Sequence, residues 1–416
     1  MWRCKFLILV ALVMCNVSRV QSQTIVSPYS GNGLGELIYA GMPHHLGMGE
    51  VGIATPTYWQ INSVNPALLV NNLLTTFQVG FQADFRNFRA TNTNGSDETA
   101  GLRYLNITFP ISRGRWTSNV ALLPYSTVNY EFFNQSDIAG IEDTQSLNTF
   151  RGDGGITRFD WSNGVRISKS FSLGLRTSYI FGSIRNFAET SVAGDDALFV
   201  VLYNDEVSYS DFTFQFGAFY AYEISETRAL NFGLTYNVGT VLEGTRDETF
   251  TREASGTQVQ SQEINTNQNA DFDLPTTLGV GLSYQVVNKL LLGLDIERDF
   301  GGTYGADPSF RERLKIGVGT EFTPDYSNVR NYWSRVNYRA GVNFEQVPYV
   351  INGREINNFG LSAGMSLPIS GASSFDTAFK FGWRGTTEDN LIRENYFQIV
   401  LGVTINDRWF IKRRYE

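Results

Sequence analysis

Apolar and polar residues alternate with a period of two along most of this chain. Over 171–182, Phe171, Leu173, Leu175, Thr177, Tyr179 and Phe181 interleave with Ser172, Gly174, Arg176, Ser178, Ile180 and Gly182. Successive side chains of an extended strand point to opposite faces, so this run has one oily face and one small or polar face. Leu278, Val280, Leu282, Tyr284 and Val286 alternate in the same way with Thr277, Gly279, Gly281, Ser283 and Gln285. So do Phe375, Thr377, Phe379, Phe381 and Trp383 with Asp376, Ala378, Lys380, Gly382 and Arg384. Segments near 212–222, 230–238, 290–297, 314–322 and 397–405 repeat the pattern.

A soluble sandwich also alternates, but its strands usually run to about 5 or 6 residues and its oily face is the hidden one. Many runs here reach about 10 residues, the length at which a tilted strand crosses hydrocarbon. The charged residues Arg176, Glu223, Asp295, Glu297, Lys315, Glu321, Asp376, Lys380 and Arg384 all share the small face. A Lys or Arg facing lipid at mid-depth costs roughly 2–4 kcal/mol. The small face therefore lines an enclosed interior, and the oily face meets lipid. Only helices and closed barrels satisfy every backbone polar group in a bilayer. Beyond the first residues, no stretch approaches the ~20 apolar residues of a membrane helix. The pattern predicts an all-β fold, a transmembrane antiparallel β-barrel.

About fourteen strands can be placed, near 73–88, 101–111, 114–130, 156–169, 171–187, 206–225, 228–244, 272–287, 289–300, 310–323, 333–346, 355–369, 373–386 and 393–406. The connectors alternate in length, as expected of outer-membrane barrels with short periplasmic turns and long external loops. Ser112–Arg113, Lys169–Ser170, 225–227, Asn288 and 370–372 are short, whereas 89–100, 131–155, 188–205, 245–271 and 301–309 are long and polar. The connectors 323–332 and 346–354 are nearly equal and break the rule.

The stretch before the first strand, 23–72, is rich in Gly, Pro and Asn and does not alternate. It nevertheless carries Leu34, Leu37, Ile38, Tyr39, Leu46, Val51, Ile53, Trp59, Leu68 and Leu69. That is too apolar for a solvated tail, so a plug inside the lumen is expected. Arg3 and Lys5 precede the apolar run Phe6–Val13, with Val20-Gln21-Ser22 at the cleavage position, the form of an export signal over 1–22. The expected organisation is 1–22 signal, 23–72 hatch or plug, 73–406 barrel and 407–416 periplasmic tail.

Composition narrows the chemistry. Cys4 and Cys15 both fall in the signal, so the exported product would have no disulfide and no Cys-ligated metal. A net charge of -8, with no basic cluster beyond Lys412-Arg413-Arg414, argues against nucleic acid. The two histidines, His44 and His45, are adjacent and lie in the plug region. Neighbours in sequence diverge in regular structure, so a two-His metal site is not expected and the pair reads as polar residues on a loop. No His falls within the strands to serve a serine nucleophile. Asp295 and Glu297 share a face and could form an acidic dyad, or could be ion-paired across the lumen with residues such as Lys315 or Arg176. No enzyme, cofactor or metal is expected.

The stretch Gly47-Met48-Gly49-Glu50-Val51-Gly52-Ile53-Ala54, followed by Asn65-Pro66-Ala67-Leu68-Leu69, resembles the N-terminal hatch of the FadL-type long-chain fatty acid transporter superfamily. The matching hatch positions are Gly47, Gly49, Asn65, Pro66 and Ala67. The opening Ser27-Pro28-Tyr29-Ser30 and closing Trp409-Phe410-Ile411-Lys412-Arg413 are similar to outer-membrane proteins of the Bacteroidota. The resemblance implies a fourteen-stranded, porin-like barrel in the outer membrane, surrounded by its lipid. It also implies passage of a small hydrophobic solute, gated by the hatch. Members of this barrel type also serve type IX secretion and related machinery, so the alternative is a non-transporting subunit of a secretion or assembly complex with protein partners. The many lumen charges and the charged C-terminus depart from a dedicated lipid carrier.

Overall fold

The computed structural model describes residues 27–409 except 92–93, 138–144, 194–197, 255–256 and 303–309. The expected export signal and the end of the expected tail lie outside the described residues. Fourteen antiparallel strands close into one barrel, each paired with its neighbours in sequence. We number the barrel strands β1 (Thr75–Arg89), β2 (Asn94–Ser112), β3 (Trp116–Asp137), β4 (Gln145–Arg166), β5 (Phe171–Ala193) and β6 (Leu198–Ser225). Strand β7 runs in three pieces, Arg228–Asn237, Thr240–Leu242 and Gly244–Ala254; β8 does the same, as Thr257–Asn269, Phe272–Leu274 and Thr276–Val286. The circuit continues through β9 (Leu290–Phe300), β10 (Leu314–Phe322), β11 (Asn337–Ile351), β12 (Arg354–Ser370), β13 (Ser373–Arg384) and β14 (Arg393–Asp407). It closes where Asp407 of β14 pairs with Thr75 and Arg393 with Arg89.

The alternation read from sequence is the alternation of inside and outside. On β5, Leu173, Leu175, Tyr179 and Phe181 are exposed while Ser172, Arg176, Ser178 and Ile180 are buried. Phe212, Phe214 and Phe216 of β6 continue the oily belt around the wall, as do Val280 and Leu282 of β8 and Leu292 and Leu294 of β9. At about 25 cal/mol per Å² of apolar surface, that belt finds its favourable environment in lipid.

Four stretches expected as loops carry strand instead. Much of 89–100, 131–155, 188–205 and 245–271 extends the hairpins of β1–β2, β3–β4, β5–β6 and β7–β8. Above the hydrocarbon both faces of a strand are wet, so the ladder persists after the oily alternation stops. Thr257–Asn269, a run of Thr, Gln, Ser and Asn exposed almost throughout, shows why periodicity could not reveal it. The two ambiguous connectors also resolve. Asn352 (φ 53°) and Gly353 (φ 73°) make a two-residue turn of the left-handed kind at the outer end. The connector after β10 instead crosses the short-turn end and carries a 3-10 turn at Tyr332–Arg335.

Residues 27–72 run inside the barrel. Met42, Val51, Ile53, Ala54, Ile61, Ala67 and Leu68 are all completely shielded. Local signals shape this inner segment. Pro43 starts a one-turn helix, α1 (Pro43–Leu46). Asn65 accepts a hydrogen bond from the Ala67 amide and caps a 3-10 turn over Pro66–Asn71.

Candidate functional site

The inner segment is held by groups the wall strands point inward. Glu50 is the centre of one cluster. Its carboxylate lies 2.9 Å from Lys315 Nζ of β10 and 2.5 Å from Lys380 Nζ of β13. Lys315 also lies 3.5 Å from Glu297 and 3.7 Å from the centre of the Tyr39 ring. Glu36 is the centre of another, 3.0 Å from Arg86 of β1 and 2.5 Å from Arg384 of β13. Glu394 of β14 stands 3.3 Å from the same Arg86 and accepts the Ser27 hydroxyl at 2.5 Å. These carboxylates are nearly or wholly out of water. Removing one partner of such a pair costs roughly 3–5 kcal/mol, because the other charge is left buried and bare.

Neutral contacts complete the attachment. Asp295 of β9 accepts the backbone N–H groups of Gly52 at 2.6 Å and Ile53 at 2.7 Å. Asp376 of β13 accepts Gln60 Nε2 at 2.6 Å, and Arg339 of β11 donates to Gln60 Oε1 at 3.2 Å while pairing with Glu321 at 2.6 Å. Arg176 of β5 donates to the Ser63 carbonyl. Asn65, besides its capping role, donates to the carbonyls of Ile53 (2.8 Å) and Ala218 (3.1 Å). Backbone meets backbone where the wall presents glycine. A Cβ at Gly341 would overlap Gly49 N and Met48 C, and one at Gly174 would overlap Pro66 and the Ala67 amide.

The sequence-selected residues fall as follows. Arg176, Asp295, Glu297, Lys315, Glu321, Asp376, Lys380 and Arg384 all point inward, against the inner segment or its ion pairs. Glu223 differs: it follows Phe219 and Ala221 on the inner face of β6 but is exposed, one residue pair above the 226–227 turn. Asp295 and Glu297 make no dyad. Asp295 holds backbone amides, while Glu297 faces Lys315 and Arg313, the latter at 3.6 Å. His44 and His45 sit on α1 and not on a loop, both buried, with ring centres 3.9 Å apart. Gly47 rests on Gly364, and Gly49 takes φ 69°, a conformation open to glycine.

Glu36, Glu50, Arg86, Arg103 and Glu394 were not selected from the sequence. Arg86 shares the small face with Gln78, Gly80, Gln82 and Asp84, so its alternation could have found it. Glu36 and Glu50 lie where no period exists, and no signal marks them.

The wall itself is interrupted between β2 and β3. Their ladder runs from Ser112–Trp116 to Leu105–Leu122 and stops. Beyond it β2 stays paired with β1 as far as Asn94, and β3 with β4 as far as Asp137. Pro124, which has no N–H to give a ladder, stands at the departure point. There β3 takes the inner segment as its neighbour: Glu36 pairs with Thr127, Leu37 with Ser126, and the Ile38 amide donates to the Tyr125 carbonyl at 2.9 Å. A cavity of about 240 Å³ lies behind this break, bordered by eight cationic and five anionic side chains.

A fourteen-stranded antiparallel barrel with an oily belt, a charged interior and an inner N-terminal segment defines a transmembrane β-barrel, with the fold seen in FadL-type proteins. The chain belongs to the BamG family, whose sequence profile matches residues 1–416. Solved structures share the fold at low identity. The Ralstonia pickettii toluene transporter TbuX is 16% identical, with 88% of this chain and 99% of that chain covered and a TM-score of 0.57. The Pseudomonas putida toluene transporter TodX is 14% identical over 90% and 99%, with a TM-score of 0.57. A Pseudomonas aeruginosa FadL homologue is 13% identical over 89% and 98%, with a TM-score of 0.54. No curated protein sequence matches the chain.

Proposed function

We propose that this protein is a plugged barrel that serves as a subunit of an outer-membrane assembly complex and does not pass solute through its lumen. In this reading 1–22 is the export signal, 23–72 the plug, 73–406 the barrel and 407–416 a periplasmic tail. One observation carries the proposal: the space left beside the plug is walled by charge, and the plug is tied to the wall by buried ion pairs of Glu36 and Glu50. An apolar solute gains nothing by leaving lipid for such a cavity, and moving the plug would strip several charges of their partners. The family designation BamG points the same way. The test is extraction of the native protein in mild detergent. Co-migration with stoichiometric outer-membrane and periplasmic proteins is expected; a lone barrel that renders vesicles permeable to small hydrophobic molecules would overturn it.

A second reading, uptake of a small hydrophobic solute gated by the plug, is favoured by the break between β2 and β3 and by a fold shared with toluene transporters. Under it, deletion of 27–64 changes hydrocarbon permeability while the barrel stays folded. Unchanged uptake after that deletion removes plug gating.

A further inference from the structure

We propose that the cavity behind the β2–β3 break is a binding site for a phosphate group. The two bulged residues at the lips of the break both border it. Arg103 is the extra residue between Leu102 and Tyr104 on β2, and Tyr125 the extra residue between Pro124 and Ser126 on β3. A ligand lying in the break would therefore meet Arg103 and Tyr125 first.

Three guanidinium groups converge on that side of the cavity. Arg103 donates to the Tyr39 carbonyl at 2.7 Å and to Gln82 Oε1, and has no carboxylate of its own among the described residues. Arg158 and Arg176 share a single carboxylate, Asp160, at 2.9 and 3.5 Å. Arg158 Nη2 is shielded from water and has no hydrogen-bond partner, and its guanidinium lies over the Tyr125 ring at 6.0 Å. Two other carboxylates act on Arg103 from beyond salt-bridge reach: Asp84, held by Gln82 and Gln398, and Glu50, held by Lys315 and Lys380. Three cations thus face one carboxylate, or two if Asp84 is counted, and an excess of one to two positive charges remains out of water. A buried excess of that size calls for a counter-ion. Phosphate carries one to two negative charges near neutral pH and presents the oxygens that guanidinium forks bind in pairs.

The other buried clusters differ. Glu36 and Glu394 match Arg86 and Arg384 charge for charge, and Glu50, Glu297, Asp299 and Glu345 more than match Lys315, Lys380 and Arg313. The cationic excess beside the break is local, set against a surplus of one carboxylate in the Lys315 cluster of the same cavity. Two sources offer this chemistry there: the headgroup of a phosphorylated lipid entering sideways from the membrane, or a free phosphate entering from water. This inference does not depend on whether the barrel carries solute or assembles with partners.

The experiment uses the purified full-length mature protein. Inorganic phosphate is titrated by calorimetry in detergent. In parallel, the protein is placed in phosphatidylcholine nanodiscs doped with phosphatidate or with uncharged diacylglycerol, and retained lipid is read by native mass spectrometry. Arg103→Gln/Arg158→Gln should weaken phosphate or phosphatidate binding by at least ~10-fold, the loss expected on removing charge-assisted hydrogen bonds. Arg103→Lys/Arg158→Lys, which keeps the charge and guards against a misfolded Gln variant, should bind more tightly than the Gln variant and more weakly than the parent, because the charge remains and the paired fork is lost. Retention of phosphatidate alone assigns the site to a lipid headgroup reaching through the break; binding of inorganic phosphate as well assigns it to the phosphate group itself. The proposal is overturned if the parent binds neither probe, if diacylglycerol is retained as well as phosphatidate, or if the Gln variant binds as the parent does.

Discussion

The Glu50 carboxylate lies 2.9 Å from the Lys315 ammonium, joining the inner segment to β10 at a point both side chains have hidden from water. The other oxygen of Glu50 holds Lys380 on β13, so one residue ties the segment to two separate parts of the wall. Glu50→Gln leaves Lys380 with no carboxylate in ion-pair contact among the described residues, and Lys315 with only the longer contact to Glu297. The expected cost is roughly 3–5 kcal/mol, borne by the inner segment. Limited proteolysis in detergent should then cut within 27–72, while the barrel keeps its heat-modifiable migration on a gel. Unchanged protection would mean that the lysines do not hold the segment.

Close backbone approach gives a second expectation. Gly341 of β11 faces Gly49 so closely that a Cβ would occupy the space of the Gly49 nitrogen and the Met48 carbonyl carbon. The obstruction is backbone on both sides, so no rotamer change relieves it. Gly341→Ala should displace the turn at 48–49 and weaken the Glu50 contacts beside it, whereas Gly101→Ala, with nothing within 4 Å, should be silent. Overpacking of this kind costs ~1–3 kcal/mol. Amide exchange across 45–53 would register it, and equal exchange in the two variants would contradict the packing.

Acidity should act on the same segment. Loss of water around His45, with Arg339 and Lys315 nearby, lowers its pKa to about 3. His44 is driven well down by burial, by His45 and by Arg339. Both imidazoles are therefore neutral in place, whereas in a solvated chain they protonate near pH ~6.5. A depressed folded value means that the stability is complete above that pH and is lost as pH falls from ~6.5 toward the folded value. The slope is about 1.4 kcal/mol per pH unit for each ring. Protease protection of 27–72 should fall between pH 7 and 5, and His44→Leu/His45→Leu should flatten the dependence. A loss confined to alkaline pH would refute the assignment.

The barrel was legible because lipid on one side and a charged interior on the other force every wall strand to alternate. Phe212, Phe214 and Phe216 could be read as outward from spacing alone, and Asp295 and Lys315 as inward. Where both faces are wet, as in Thr257–Asn269, the same backbone ladder leaves no trace in hydropathy. The inner segment was legible only as too apolar to be solvated. Its attachment depends on which wall residue meets Glu36 or Glu50, a relation across 50 to 348 positions that no local pattern encodes. The cationic side of the cavity was half visible: Arg176 was placed by alternation, but Arg103 lies at a bulge, where the period slips by one residue.

The break in the wall supplies the last prediction. Between Leu122 and Asn129, β3 has exchanged β2 for the inner segment, and the bond from the Ile38 amide to the Tyr125 carbonyl lies at the centre of that exchange. Proline at 38 removes the donor and restricts Leu37, which pairs with Ser126. If these bonds keep the free edge of β3 covered, Ile38→Pro should raise amide exchange on β3 above Pro124 and leave the β3–β4 ladder below it protected. The same variant separates the two functional readings. A seal over a lateral path, once loosened, raises permeability to small hydrophobic molecules in reconstituted vesicles. A scaffold whose interior stays closed shows the local exchange without the leak. Exchange on β3 identical to the parent would show that the inner segment does not cover the edge.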